Sequence, residues 1–190
     1  MTVFKLVGCG VIGLALSACA GIETSSRNQP FDLPGLAPGA GVQPLFAVSQ
    51  VHVVVPPRLT VSDRDGLYPT SDIVWRGEPS GDRPAQITAL FETAATQVQP
   101  TLLNGTPAIA TITLERFHGV TERVQALGGG VYAIRFLLTL TDPVTGADLV
   151  PPEHVQADLV APRHVVDERA LLVDHLTRVL AAELSGGDAV

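Results

Sequence analysis

Reactive side chains are sparse in this chain, and their spacing argues more for binding than for catalysis. Histidine occurs five times, at His52, His118, His154, His164 and His175. No two of these lie four apart on one helical face and no carboxylate completes a ligand spacing, so they read as solvated or hydrogen-bonded imidazoles, with no metal. No Gly-x-Ser-x-Gly elbow presents a nucleophilic serine, and Ser80 reads as loop and helix-start chemistry. Gly128-Gly129-Gly130 lacks the Lys-Ser/Thr of a phosphate loop and opens a strand, so it reads as a hairpin tip and no cofactor is expected. Polar and aromatic chemistry concentrates instead in Asp72 to Arg83, which holds the single tryptophan and two arginines among acids. Trp75 and Arg76, with Asp82 and Arg83 beside them, have the character of a partner-binding hot spot. The plainer alternative puts Trp75 in the core beneath a helix and pairs Arg76 with Asp82.

Cys19 stands apart because of what precedes it. Lys5, the apolar run from Leu6 to Leu16 and the small residues Ser17 and Ala18 form the three parts of a secretory signal. That run is too short to cross a bilayer, which takes about 20 apolar residues. Leu16-Ser17-Ala18-Cys19 resembles the bacterial lipobox. The resemblance implies a diacylglycerol on the Cys19 thiol, cleavage just before it and acylation of the new amine. A thiolate suits such an alkylation, and each buried methylene contributes about 0.8 kcal/mol, so several chains anchor where one is marginal. Ala20 and Gly21 lack the Asp that resembles an inner-membrane retention signal, which points to the periplasmic face of the outer membrane. The alternative is a plain secretory signal or core segment with Cys19 as a small apolar residue.

Removal of residues 1–18 would leave 172 of the 190 residues, a length suited to one domain. Lys5 is the sole lysine, so the mature chain would carry 11 arginines against 19 acids, a formal charge of −8. Such a balance disfavours nucleic acid and gains nothing from an anionic membrane. Cys9 leaves with the signal, and the one remaining cysteine excludes an internal disulfide, cysteine-ligated zinc and a cysteine nucleophile.

Residues 19–45 carry Pro30, Pro34, Pro38 and Pro44 among glycines and read as a disordered tether reaching roughly 25 to 30 Å. Residues 46–190 read as a single domain. Val48 to Val55, with Val51, Val53 and Val55 on one face, predicts a strand stopped by Pro56-Pro57. A turn-rich stretch with Asp63-Arg64-Asp65-Gly66 precedes a short strand at Ile73-Val74-Trp75. Ile87, Leu90, Phe91, Ala94, Ala95 and Val98 form one helical stripe, started near Asp82 and Pro84 and ended by Pro100 and Asn104-Gly105. Alternation over Ala108–Leu114 and Tyr132–Leu140 predicts two long strands, followed by another near 147–150 or 155–160, as an antiparallel meander. Asp167 would cap a second helix over Glu168–Leu184, ended by Gly186-Gly187. The order predicts an α+β two-layer sandwich, an antiparallel sheet of about four to five strands with two helices on one face.

The lipobox, the Pro/Gly tether, the Val-rich strand ending at Pro56-Pro57, the Asp-Ile-Val-Trp-Arg segment and the Gly-Asp-Arg helix start together resemble a family of uncharacterised proteobacterial envelope lipoproteins. The order of elements is more distantly similar to auxiliary lipoproteins of envelope ABC-type lipid transport systems. These resemblances imply a non-enzymatic, membrane-anchored protein that binds an envelope partner in assembly or lipid transport, its oligomeric state open. The alternatives are binding of a lipid or other apolar ligand between sheet and helices, and a hydrolase using Ser, His and Asp.

Overall fold

A computed structural model describes residues 45–163 and 165–185 of the chain. The expected signal, Cys19, residues 19–44 of the expected tether, His164 and the expected Gly186-Gly187 helix stop lie outside the described residues.

Val48, Val51 and Val53 all turn toward the core from β1 (Phe46–Val54), although simple alternation would separate Val48 from the other two. A bulge reconciles them: Val48 opposes Ala108 and Gln50 opposes Ile109, leaving Ser49 as the extra residue. The same device acts in β4 (Thr106–His118). Ala108, Ala110, Ile112 and Leu114 alternate inward, then the register shifts across Glu115 so that Phe117 also enters the core. β5 (Val131–Thr141) needs no correction, with Tyr132, Ile134, Phe136, Leu138 and Leu140 all buried.

Three short strands and a four-residue one complete a seven-stranded sheet: β2 (Val61–Ser62), β3 (Ile73–Val74), β6 (Glu153–Gln156) and β7 (Leu159–Val160). β4, β5 and β6 form the expected antiparallel meander. The wholly antiparallel sheet is corrected, because β1 and β3 both run parallel to β4. The reason is the connection. A parallel neighbour needs a long crossover, and the chain from β1 to β4 passes through two short strands and a helix before it returns. Both long strands therefore start from the same end.

The helices form the second layer. α1 (Arg83–Val98) begins at Asp82, whose Oδ1 accepts the Ala85 N–H at 3.0 Å, and passes into a 3-10 turn at Gln99–Thr101. Gly105, at φ 117°, then makes the turn into β4 that a residue with a Cβ would resist. α3 (Glu168–Leu184) is capped by Asp167 Oδ1, which accepts the Ala170 N–H at 2.8 Å. Ile87, Leu90, Phe91 and Ala94 of α1 meet Leu172, Leu176 and Leu180 of α3 over the inward face of β4 and β5. Phe91 meets Phe136 edge to face, with centroids 5.4 Å apart. A short third helix, α2 (Glu122–Ala126), interrupts the β4–β5 connection that the sequence suggested was plain loop.

The register also assigns ends to the sheet. Phe46 pairs with Thr106, and Ile109 with Thr141, so the domain starts at one end. β4 then runs thirteen residues to His118, opposite Ala133, a span of roughly 40 Å. α2, the β1–β3 loops and the start of α3 gather at that far end.

Candidate functional site

The link from β3 to α1 carries the stretch that its composition singles out, and its residues take different roles. Trp75 is fully buried against Phe117, with ring centroids 5.5 Å apart at 87°. It lies two residues after Ile73, on the same side of the extended chain, and both side chains belong to one core. Of the two readings, Trp75 takes the plainer one, a core residue, and is not available as a partner-binding hot spot. Asp82 is engaged as the α1 cap, and the suggested Arg76–Asp82 pair is not formed. Arg76 instead donates from Nη1 to the Asp63 carbonyl at 2.7 Å and from Nη2 to Glu122 Oε1 at 3.1 Å.

Arg83 is 4% exposed. Its Nε donates to Asp63 Oδ1 at 2.8 Å, and its Nη1 reaches the Glu78 and Pro79 carbonyls at 3.1 and 3.0 Å and Gln86 Oε1 at 2.7 Å. The two arginines are thus brought together on Asp63. The loop that follows is held from α2, where Arg123 N–H donates to Asp65 Oδ1 at 3.0 Å and Thr121 Oγ1 donates to the Gly66 carbonyl at 2.9 Å. A segment with the composition of a free turn is therefore clamped at each of these residues.

Beside Arg76 lies a cleft of about 430 Å³, walled by Arg76, Gly77, Glu122, Gln125, Tyr132 and Glu168. Gly77 is required by close approach: a Cβ there would lie 2.2 Å from Trp75 Cη2 and 2.7 Å from Glu168 Oε2. Gln125 Nε2 donates to the Pro162 and Arg163 carbonyls at 3.0 and 2.8 Å, which leaves its Oε1 without a partner. Burial pushes the Glu168 carboxyl above its ordinary range, against a smaller pull from the Tyr132 hydroxyl. Burial, and then the Glu168 charge, push the Tyr132 phenol strongly upward. Arg169, next along α3, pairs with Glu78.

On the other side of α2 the surface is apolar. A cleft of about 210 Å³ has Leu67, Tyr68 and Val131 in its wall, and a wider one of about 600 Å³ joins Leu67 to Leu127, with Asp65, Glu122 and Arg123 around it. Tyr68 is 83% exposed and Leu127 74%. Composition did not single out these residues, nor Glu122, Gln125, Tyr132 or Glu168. The one signal available was Leu67-Tyr68, a large apolar pair inside a turn-rich stretch that has no helical or strand period to bury it.

The described histidines are dispersed. His118 Nε2 lies 2.8 Å from the Ser71 backbone carbonyl, His175 Nε2 lies 3.2 Å from that of Ala157, and His154 Nδ1 lies 2.9 Å from Glu115 Oε1. His118 therefore meets Ser71 through its backbone and not its hydroxyl. Burial lowers the pKa of both His118 and His175. Among the described residues no group of three or more His, Cys, Asp or Glu could hold a metal ion, and no helix is long and apolar enough to cross a membrane.

The family of unknown function DUF6778 has a model that matches residues 46–189. No curated protein matches the chain. Among solved structures, a Xanthomonas campestris protein of family model DUF330 is 12% identical, with 75% of this chain and 85% of that one covered and a TM-score of 0.48. A PelC L103M dodecamer from Paraburkholderia phytofirmans is 11% identical, with 75% and 92% covered and a TM-score of 0.39. A candidate lipoprotein from Caulobacter crescentus CB15 is 14% identical, with 69% and 79% covered and a TM-score of 0.23. At such values the likeness assigns no role to any residue here.

Proposed function

This chain belongs to DUF6778, a family of unknown function, and on that footing we propose that it is a lipid-anchored, non-enzymatic envelope protein that holds a protein partner at the far end of its sheet. Anchoring at Cys19, to the periplasmic face of the outer membrane, rests on Leu16-Ser17-Ala18-Cys19. The observation that carries the binding role is the exposed apolar group of Leu67, Tyr68, Leu127 and Val131. Large side chains left outside the core in one contiguous group mark an interaction surface. Arg64, Asp65, Glu122 and Arg123 line the same clefts, a mixed-charge rim of the kind protein interfaces have. This group sits at the end of the sheet opposite Leu45, where the chain from the anchor joins the domain.

A protein partner is favoured over a lipid between the layers because that space is filled. Ile87, Leu90, Phe91, Ile112, Phe136 and Leu176 are all fully buried there, and packing of this kind leaves no room for an acyl chain. The task served by the partner is assembly or lipid transport in the envelope. The test is a pair of substitutions on the exposed group, Tyr68→Glu and Leu127→Glu, with Val144→Glu as a control, for Val144 is as exposed but belongs to the turn after β5. The first two should remove one discrete crosslinked complex from membranes without lowering thermal stability, and the control should retain it. A complex that survives both substitutions would refute the assignment.

A further inference from the structure

The cleft beside Arg76 holds one charge that nothing offsets. Arg76 is occupied by Glu122 and the Asp63 carbonyl, and Arg169 by Glu78. Among the described residues no cation lies within ion-pair distance of Glu168, and none donates to its Oε1. Gln125 adds a second orphan acceptor. Its Nε2 is fixed on two backbone carbonyls, so the amide orientation is set and its remaining oxygen can only accept. The Tyr132 hydroxyl stands beside the Glu168 carboxylate on the same wall. Unsatisfied buried acceptors are rare in folded proteins and call for an explanation.

A ligand that answers the Glu168 and Gln125 oxygens must bring N–H donors, and one that answers the Glu168 carboxylate brings positive charge. An ammonium group offers three donors and no acceptor, which suits the two orphan oxygens, while the Arg76 guanidinium, whose Nε is an unpartnered donor, remains beside them on the same wall. Val120, Val165 and Val166 complete the lining and give a methylene stem apolar surface to lie against. We propose that this cleft is a binding site for a primary ammonium group on an alkyl stem, with Glu168 as counter-ion and Gln125 and Tyr132 as orienting groups. The inference goes beyond the docking of a partner, since the shared chemistry belongs equally to a lysine side chain and to a small free amine.

The test is a titration of the purified full-length chain, followed by the NMR signals of the Gln125 side-chain amide. The probes are n-butylamine and acetyl-Gly-Lys-Gly-amide, with n-butanol and butyrate as controls. Both amines should shift those signals saturably and neither control should. Tighter binding of the peptide assigns the site to a lysine of a protein, and tighter binding of butylamine assigns it to a free amine. Glu168→Gln should weaken binding by about tenfold or more, as loss of a charged hydrogen bond does. Tyr132→Phe, which keeps the ring, should weaken it less and keeps the test open if the first variant fails to fold. No saturable shift with either amine, an equal shift with butanol, or undiminished binding by both variants would overturn the proposal.

Discussion

Arg83 shows how one buried side chain organises loops distant in sequence. It satisfies two carbonyls of its own approach loop and one carboxylate, Asp63, twenty residues earlier. Removing it deprives the Glu78 carbonyl and Asp63 of their buried donor, so Arg83→Ala should lower unfolding free energy by about 2–4 kcal/mol in urea denaturation. Arg83→Lys should recover little, because a single ammonium cannot span the same acceptors. Glu168 predicts the opposite behaviour. Its pKa is raised in the folded state, so its contribution is fully present below the unfolded value and is lost as pH rises through the folded one. Glu168→Gln should therefore match the wild type in thermal stability near pH 4 and exceed it at pH 7, and a constant difference across that window would contradict the reading. At this scale the sequence was half legible. The Asp72–Arg83 stretch stood out by composition, yet which residue faces inward depends on Asp63, Glu122 and Glu168, and nothing in local spacing links those three.

Elements were more legible than residues, because periodicity is a local property. The α3 bounds follow from its terminal residues, the Asp167 cap and the glycines beyond Leu184, and the body of α1 from its apolar stripe. Capping makes these readings testable: Asp82→Ala and Asp167→Ala should each cost about 1 kcal/mol, measured by chemical denaturation. Both should add in the double variant, since separate helix starts share no partner. The long strands were legible except where a bulge breaks the alternation, at Ser49 and Glu115. The two-residue β2 falls in the turn-rich stretch, and the expected strand near 147–150 or 155–160 is realised as two short strands, β6 and β7, too short to show a period. α2 was illegible for a different reason. Five residues give no helical period, and its stability comes from Thr121, which caps Val124 and also holds the Gly66 carbonyl. The direction of β1 was illegible too, since alternation fixes a face and says nothing of which neighbour a strand meets.

At the scale of the whole molecule, the topology separates the place where the chain joins the domain from the place where it offers chemistry. Leu45 and Phe46 lie at the start of β1 and β4, and the apolar group and the polar cleft gather around α2 beyond the end of β4. Under the anchoring proposed at Cys19, the binding surface is at the end of the sheet away from residue 45. Cys19→Ser should release it from the membrane fraction and abolish labelling by palmitate, while leaving the fold of residues 46–189 unchanged by circular dichroism. The central claim is that the α2 end holds a protein partner, and the direct measurement is photo-crosslinking in intact cells from a benzophenone side chain placed at Tyr68 or, separately, at Val144. The account predicts one discrete adduct from position 68, lost when Leu127→Glu is added, and none of that mass from position 144. The same adduct from both positions, or an adduct from 144 alone, would contradict it.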